Sequence, residues 1–315
     1  MLRKKDAGVT LSAVALFLIF ALTSQGFLTS LNLWNVSRSV GFLVLIGLAQ
    51  ALVLVVGCMN LSVGAIGGLA AITTGYLITK AGLPAAVAAV GAIFVGLLAG
   101  AGNGLVITKL RINSFVVTLA TLFIYTGLVF GFSQGYAYTD IPESFTFAGR
   151  KSLLGLPIVF WTAVATLSIA HLMFRHTVPG RHLLATGGNL MAARLSGINT
   201  DCMILLANML SGLLAALTAA LWVSRIGSAQ PATGEDWLIQ SFAVAILGGT
   251  GLSGGSISPP GLLMAAIIIA LIKNGLVILE ANVYYEQAFL GAIILAAVVV
   301  DRARGLWVSR SDNKE

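Results

Sequence analysis

The chain has 315 residues, of which 58% are hydrophobic and only 9% are charged. Soluble domains carry roughly 25% charged residues, so this composition excludes an ordinary soluble protein and predicts that most of the chain lies in a lipid bilayer. The net charge of +7 does not indicate nucleic-acid binding, because the lysines and arginines are scattered among apolar segments.

Ten candidate membrane spans follow one another, and we expect an all-α, polytopic helical bundle that forms a single transmembrane domain over residues 1–315. The basic N-terminus resembles the start of a signal peptide, but the apolar run after it lacks a small-residue cleavage site, which favours an uncleaved first span. The predicted spans are 9–28, 38–57, 61–79, 84–107, 115–133, 157–173, 202–223, 238–250, 261–279 and 286–300.

Two polar, glycine-flanked breaks interrupt long uncharged stretches of the chain. The first break, Gly57–Gly64, lies in the uncharged run between Arg38 and Lys80, which as one helix would be about twice as long as a bilayer's hydrocarbon core is thick. The second break, Gly248–Gly255, adjoins a span too short to cross alone as an ordinary helix. Backbone groups freed by such breaks must be buried in protein or line a wet cavity. The breaks therefore predict re-entrant or irregular segments beside a pathway.

The distribution of lysine and arginine predicts the orientation. With the N-terminus inside and the spans alternating, most basic residues fall on the inner side. We therefore expect both termini in the cytoplasm, a long inner loop at 174–201, an outer loop at 134–156 and an inner tail at 301–315. Arg150, Lys151 and Arg225 then lie on the outer side.

The sequence lacks the residues that catalysis would need. It contains no phosphate-binding P-loop motif, no Ser/His/Asp set, no metal-binding cluster and no paired carboxylates within the predicted spans. We therefore expect a transport subunit and not an enzyme, with no cofactor or metal bound by this chain. Lys273 either snorkels outward or pairs with Glu280, or it takes part in the pathway.

An uncharged cavity lined by amide, hydroxyl and glycine backbone groups suits a neutral, polyhydroxylated solute. The candidate pathway residues are Gln50, Asn60, Ser62, Gly64 and Ser253. Because the spans offer no acidic relay for protons, the energy for transport has to come from another source.

The inner loop predicts a surface for a partner. An amphipathic stretch runs from Leu183 to Ile198, where Asn189 is expected to cap a short helix that ends at Gly197. Such a helix offers an apolar face and a basic residue to a partner; the alternative is a loop that rests on lipid headgroups. The candidate coupling residues are Gly180, Arg181, Asn189, Arg194 and Gly197.

Several ordered motifs together resemble the permease subunits of ribose-type ABC importers, within the superfamily of branched-chain-amino-acid and ribose permeases. The similarity extends over about residues 36–305. Its motifs are Gly57–Gly64, Asn113–Thr121, Thr177–Arg181, Gly187–Asn189, Ala192–Ile198, Ile246–Gly255 and Asn274–Leu276. Two departures stand out: Asn60 replaces the family's usual aspartate, and Ser256–Pro260 replaces an Arg-Gly-x-x-x-Gly pattern.

The resemblance implies a pore for a simple sugar or related small polar solute in the bacterial cytoplasmic membrane. It also implies a second permease chain, a cytoplasmic ATPase that carries ATP and magnesium and docks on 178–198, and a periplasmic or lipid-anchored binding protein that meets Arg150, Lys151 and Arg225. The alternatives are a stand-alone secondary carrier or channel, and an ABC permease for branched-chain amino acids or nucleosides.

Overall fold

The computed structural model describes residues 4–278 continuously and, beyond them, residues 285, 287–289, 291, 292 and 295. The described chain is mostly helical. In chain order its elements are α1 Lys4–Thr23, α2 Ser30–Leu54, α3 Val63–Thr79, α4 Ala85–Leu110, α5 Ser114–Ser133, α6 Glu143–Arg150, β1 Ser152–Leu153, β2 Leu156–Pro157, α7 Ile158–His176, α8 Val178–Gly188, α9 Leu190–Leu195, α10 Thr200–Ile226, α11 Trp237–Leu247 and α12 Pro259–Ile278.

The helices agree closely with the predicted spans. Six described helices are long and apolar enough to cross a membrane: α2, α4, α5, α7, α10 and α12. Residues 8–23 of α1, together with α3 and α11, form shorter apolar helices. The first nine predicted spans thus each correspond to a helix. Of the tenth, 286–300, the structure describes six residues, and the tail at 301–315 lies outside the described residues, so the count of ten stays a prediction.

Helix α10 runs through the centre of the bundle and defines its two ends. Its 27 residues correspond to a length of about 40 Å. It starts beside α9, where Arg194 Nε donates to Thr200 Oγ1, and it finishes beside α6, where Arg150 Nε donates to the carbonyl of Arg225. We call these the α8 end and the α6 end, since α8 lies at the first of them.

Small residues bring α4 and α10 into close contact. Gly96, Gly100 and Gly104 recur every four residues on one face of α4, and a Cβ at any of them would collide with α10. Close approach through such spaced glycines favours helix packing in membranes, where van der Waals contact replaces the hydrophobic effect.

Between α10 and α11 the chain enters the bundle without helical structure. This inserted segment, residues 227–236, runs along α3: Ala229 contacts Gly75 and Gly234 contacts Gly64. Those two glycines are about 16 Å apart along the helix. The eleven-residue helix α11 therefore begins inside the bundle. In the predicted eighth span, 238–250, the helix is therefore short, and the irregular inserted segment continues it towards the α6 end.

The ends of the bundle are fixed by capping and side-chain hydrogen bonds. At the α6 end, Ser224 Oγ accepts from the Gly149 amide (2.7 Å) and donates to the Phe145 carbonyl (2.6 Å). At the α8 end, Asn189 Oδ1 accepts from the Ala192 amide (3.0 Å), and Gly197 follows α9 with φ +80°. The predicted cap at Asn189 and the predicted helix end at Gly197 are both confirmed.

Candidate functional site

The first break is held in the middle of the bundle by a network of buried polar side chains. Asn60 Oδ1 accepts from the backbone amide (3.0 Å) and the hydroxyl (2.8 Å) of Ser62, and Asn60 Nδ2 donates to Ser211 Oγ (3.1 Å). Asn103 Nδ2 in turn donates to Ser62 Oγ (2.8 Å). All four residues are fully buried. This Asn60 network, made of Asn60, Ser62, Asn103 and Ser211, ties the break to α4 and α10.

Helix α5 satisfies the backbone of the same break. Ser114 Oγ accepts from the Met59 amide (3.1 Å), and Thr118 Oγ1 lies 3.2 Å from the Met59 carbonyl oxygen to which it donates. These polar groups of Met59, Asn60 and Ser62 are thus paired within the protein, as a non-helical segment in a bilayer requires. In this structure Asn60 and Ser62 bind other helices and do not face open space, so their place in a pathway stays a prediction.

A cavity of about 190 Å³ lies beside the break, between α3, α5 and the inserted segment. Of the predicted pathway residues, Gly64 lines it. The lining is Leu61, Gly64, Ala65, Gly68, Leu122, Thr126, Val129, Phe130, Pro231, Thr233, Gly234, Glu235 and Leu238.

Glu235 is the lining residue that sequence reasoning missed. It precedes the half-length helix α11 and belongs to the part of the inserted segment that lies against Gly64. In the sequence it falls between the predicted spans 202–223 and 238–250, next to Asp236, and it was not among the predicted site residues. The sequence does contain a pattern that indicates this packing. Four glycines of α3 leave room for the segment from Ala229 to Trp237, namely Gly64, Gly67, Gly68 and Gly75.

The remaining predicted pathway residues do not join this site. Gln50 is fully buried in α2, and neither atom of its amide has a hydrogen-bond partner. Ser253 is exposed at the α8 end, where its carbonyl approaches Gly57. Lys273 is half-buried in α12, and its expected partner Glu280 lies outside the described residues.

Four glycines bring both breaks and the end of α8 together. The Gly255 amide donates to the Val55 carbonyl (2.9 Å). A Cβ at Gly187 would collide with Val55 and Gly255, and one at Gly254 would lie 2.8 Å from the Gly187 carbonyl and 2.9 Å from the Gly57 amide nitrogen. We call Gly57, Gly187, Gly254 and Gly255 the glycine junction. It joins backbone to backbone with no side chain between.

Helices α8 and α9 present an exposed apolar surface beyond this junction. On α9, Leu190, Met191 and Leu195 are 41%, 65% and 83% exposed, and Arg181 near the start of α8 is exposed as well. Arg194, in contrast, is engaged within the chain, since its Nη2 lies 2.9 Å from Asp201 Oδ1. Gly180 is buried where α8 turns back on the end of α7.

The three predicted docking cations meet at the α6 end. Arg150 donates to the carbonyls of Arg225 (3.2 Å) and Ile226 (3.3 Å). The guanidinium of Arg225 lies over the ring of Trp222 (5.0 Å), and the ammonium of Lys151 over that of Phe147 (5.6 Å). The cluster and the α8–α9 surface therefore occupy opposite ends of α10.

Comparison with known proteins places this architecture in a family. Residues 32–298 match a family model described as the permease component of branched-chain amino acid transport systems. The ribose import permease protein RbsC of Bacillus subtilis is 35% identical over 300 residues, which is 94% of this chain and 92% of that protein. RbsC of Escherichia coli K12 is 32% identical over 304 residues (93% of each chain). The D-allose transport system permease protein AlsC of Escherichia coli K12 is 31% identical over 291 residues (92% of this chain and 89% of that protein).

Proposed function

The chain belongs to this family of import permeases, and from that premise we propose that it forms part of the pore of an ATP-driven importer for a simple sugar or related small polar solute. The observation that carries the proposal is similarity over nearly the whole chain to ribose and D-allose permeases. These relatives favour a sugar-like solute over a branched-chain amino acid or a nucleoside. They also favour a subunit of a multi-component importer over a stand-alone carrier.

In the proposed arrangement the chain crosses the bacterial cytoplasmic membrane ten times with both termini in the cytoplasm. The α8 end then faces the cytoplasm, and the α6 end faces the periplasm. The excess of lysine and arginine in the inner segments supports this orientation.

We assign the pathway to the face of the bundle that carries the cavity. Gly64 contributes directly because it lines the cavity, and Asn60 and Ser62 hold the break that shapes it. Gln50 and Ser253 would contact the solute only in another state of the transport cycle. A second permease chain, identical or related, would complete the pore.

The cytoplasmic ATPase is proposed to dock on the surface formed by α8 and α9. Exposed Leu190, Met191 and Leu195 give it an apolar contact, and Arg181 gives it a charge. ATP and magnesium would bind to that partner. Movement of α8 reaches both breaks through the glycine junction, which supports alternating access driven from this end.

The periplasmic or lipid-anchored binding protein is proposed to dock at the α6 end. Arg150, Lys151 and Arg225 form a basic cluster there and favour acidic residues on the partner. Such complementarity of charge mainly raises the rate at which the two proteins associate.

Reconstitution in vesicles tests the proposal. The chain, assembled with its proposed ATPase and binding protein, should take up labelled ribose or allose when ATP is supplied, and not when the ATPase is omitted. Uptake driven by a proton gradient with no ATPase present would instead establish the stand-alone carrier.

Arg194 offers a test of the docking surface. Arg194→Glu should lower substrate-stimulated ATPase activity of the complex. The exchange Arg194→Glu with Asp201→Arg restores the internal pair but leaves a negative charge at position 194. If the exchange restores activity in full, Arg194 acts through Asp201 and not through the ATPase.

A further inference from the structure

The cavity beside the first break is lined by an acidic residue, Glu235, to which the proposed function has so far given no role. Its volume of about 190 Å³ is below the roughly 300–1,000 Å³ of sites for drug-sized ligands, which indicates a small solute. Its polar lining residues come from two elements: Thr126 from α5, and Thr233 and Glu235 from the inserted segment. The rest of the lining is apolar or glycine.

Within the described part of the chain, the carboxylate of Glu235 makes no ion pair and no side-chain hydrogen bond, and the residue is exposed. The adjacent Asp236 differs, because its Oδ1 accepts from Gln287 Nε2 (3.2 Å). Acids inside membrane proteins are costly and typically mark substrate or ion pathways. Glu235 therefore lines the cavity at the level of Gly64 and the first break, with carboxylate oxygens that are free to accept hydrogen bonds.

We propose that Glu235 binds the transported solute by accepting hydrogen bonds from two neighbouring hydroxyl groups. This rests on the proposed import function. A carboxylate has two oxygens that can each accept a hydrogen bond from adjacent hydroxyls, and such charge-assisted bonds are about twice as strong as neutral ones. Thr126 and Thr233 line the same cavity and carry further hydroxyl groups. The negative charge disfavours anionic solutes, so the ligand class is a small neutral polyol or sugar.

The glycines of α3 explain why this acid can reach the cavity. Gly64 and Gly234 pack backbone against backbone, and Gly68 lies against the Thr233 carbonyl. Any side chain at these positions on α3 would push the inserted segment away. The arrangement thus fixes Glu235 on a rigid turn, and ordering the site on binding requires little loss of entropy.

Protection of a cysteine in the cavity measures occupancy directly. Both native cysteines are first removed by Cys58→Ala and Cys202→Ala, and Thr126→Cys is then added as the one reactive thiol. The assembled complex is treated with a thiol reagent. The treatment is repeated in the presence of D-ribose, D-allose, 2-deoxy-D-ribose or 1,4-diaminobutane. A sugar that the parent complex transports should slow labelling, and its deoxy analogue should protect less well. In Glu235→Gln the concentration for half-protection should rise about tenfold, and the preference over the deoxy analogue should shrink. Asp236→Asn is the matched control and should behave like the parent.

The outcomes separate this proposal from the function on which it rests. If the parent complex transports none of the sugars, the import function itself fails, and the role of Glu235 fails with it. If the parent transports a sugar but Glu235→Gln keeps the same protection and preference, only the role of Glu235 is overturned. Stronger protection by the diamine than by any sugar would overturn the ligand class. If Glu235→Gln does not assemble, Glu235→Asp, which keeps the charge on a shorter side chain, should show weakened but selective protection; unaltered protection there would contradict the proposal.

Discussion

The two breaks look alike in the sequence, yet they are built differently. At the first break, the polar residues Asn60 and Ser62 are fully buried and bind α4 and α10 far along the chain. At the second, Ser256 and Ser258 bond to amides within a few residues: the Gly251 amide reaches Ser256 Oγ (3.4 Å), and the Gly261 amide reaches Ser258 Oγ (3.2 Å).

The difference shows that a glycine-flanked polar break can serve two purposes. The first break organises the middle of the bundle, because its polar groups have long-range partners. The second closes a loop and begins α12 with a local cap. The first should therefore be sensitive to changes of side chain, and the second mainly to changes at the glycines of the junction.

The largest difference is expected from the same substitution in each break. Gly64→Ala places a methyl group against the Gly234 carbonyl, and we expect it to cost about 3 kcal/mol of unfolding free energy. The methyl group of Gly251→Ala would lie 3.2 Å from the Ser256 hydroxyl and at ordinary contact distance from the Gly254 carbonyl (3.7 Å) and the Ser253 hydroxyl (3.8 Å), so it should cost less than about 0.5 kcal/mol. Unfolding in mixed micelles with a rising fraction of denaturing detergent measures both. Equal losses would refute the distinction.

Removing polar side chains should give the next largest contrast. Asn60→Ala leaves Ser62 and Ser211 without their partner in a buried site, for which we expect a loss of about 2 kcal/mol. Ser253→Ala, at an exposed position, should change stability by less than about 0.5 kcal/mol. The same unfolding measurement applies, and a tolerant Asn60→Ala would mean that the network contributes little.

Gln50 should respond in the opposite sense to Asn60. Because neither of its buried amide atoms has a partner, Gln50→Leu removes an unsatisfied polar group and should stabilise the fold by about 1 kcal/mol. Solute uptake by the same variant shows whether transport requires the amide of Gln50. A loss of stability would indicate that the amide is satisfied by bound water.

The smallest effect is expected from Asn60→Asp, which restores the residue that the family usually has. A protonated aspartate reproduces the pattern of the asparagine: its O–H donates to Ser211 and its carbonyl oxygen accepts from Ser62. Stability should change by less than about 0.5 kcal/mol, and uptake should persist. A loss as large as that of Asn60→Ala would show that the Nδ2 donor is essential.

Hydropathy predicted the helices well because it depends only on local composition. The glycine-rich breaks were also found, since each interrupts an uncharged run too long for one span. The inserted segment was not, because an irregular run of turns beside α3 has no periodicity in the sequence. Glu235 was not predicted as a site residue, because it falls between two predicted spans. The glycines of α3 make room for its segment beside the first break.

The glycine junction has a mechanical consequence. Side chains can absorb a small displacement by changing rotamer, whereas carbonyls and amides in direct contact have no such compliance. Gly187 of α8 touches Val55 and Gly255, and Gly254 touches Gly57. A displacement of α8 is therefore transmitted directly to the end of α2 and to the second break. We therefore expect α8, the end of α2 and the second break to move together as a rigid unit, with a displacement that backbone geometry determines.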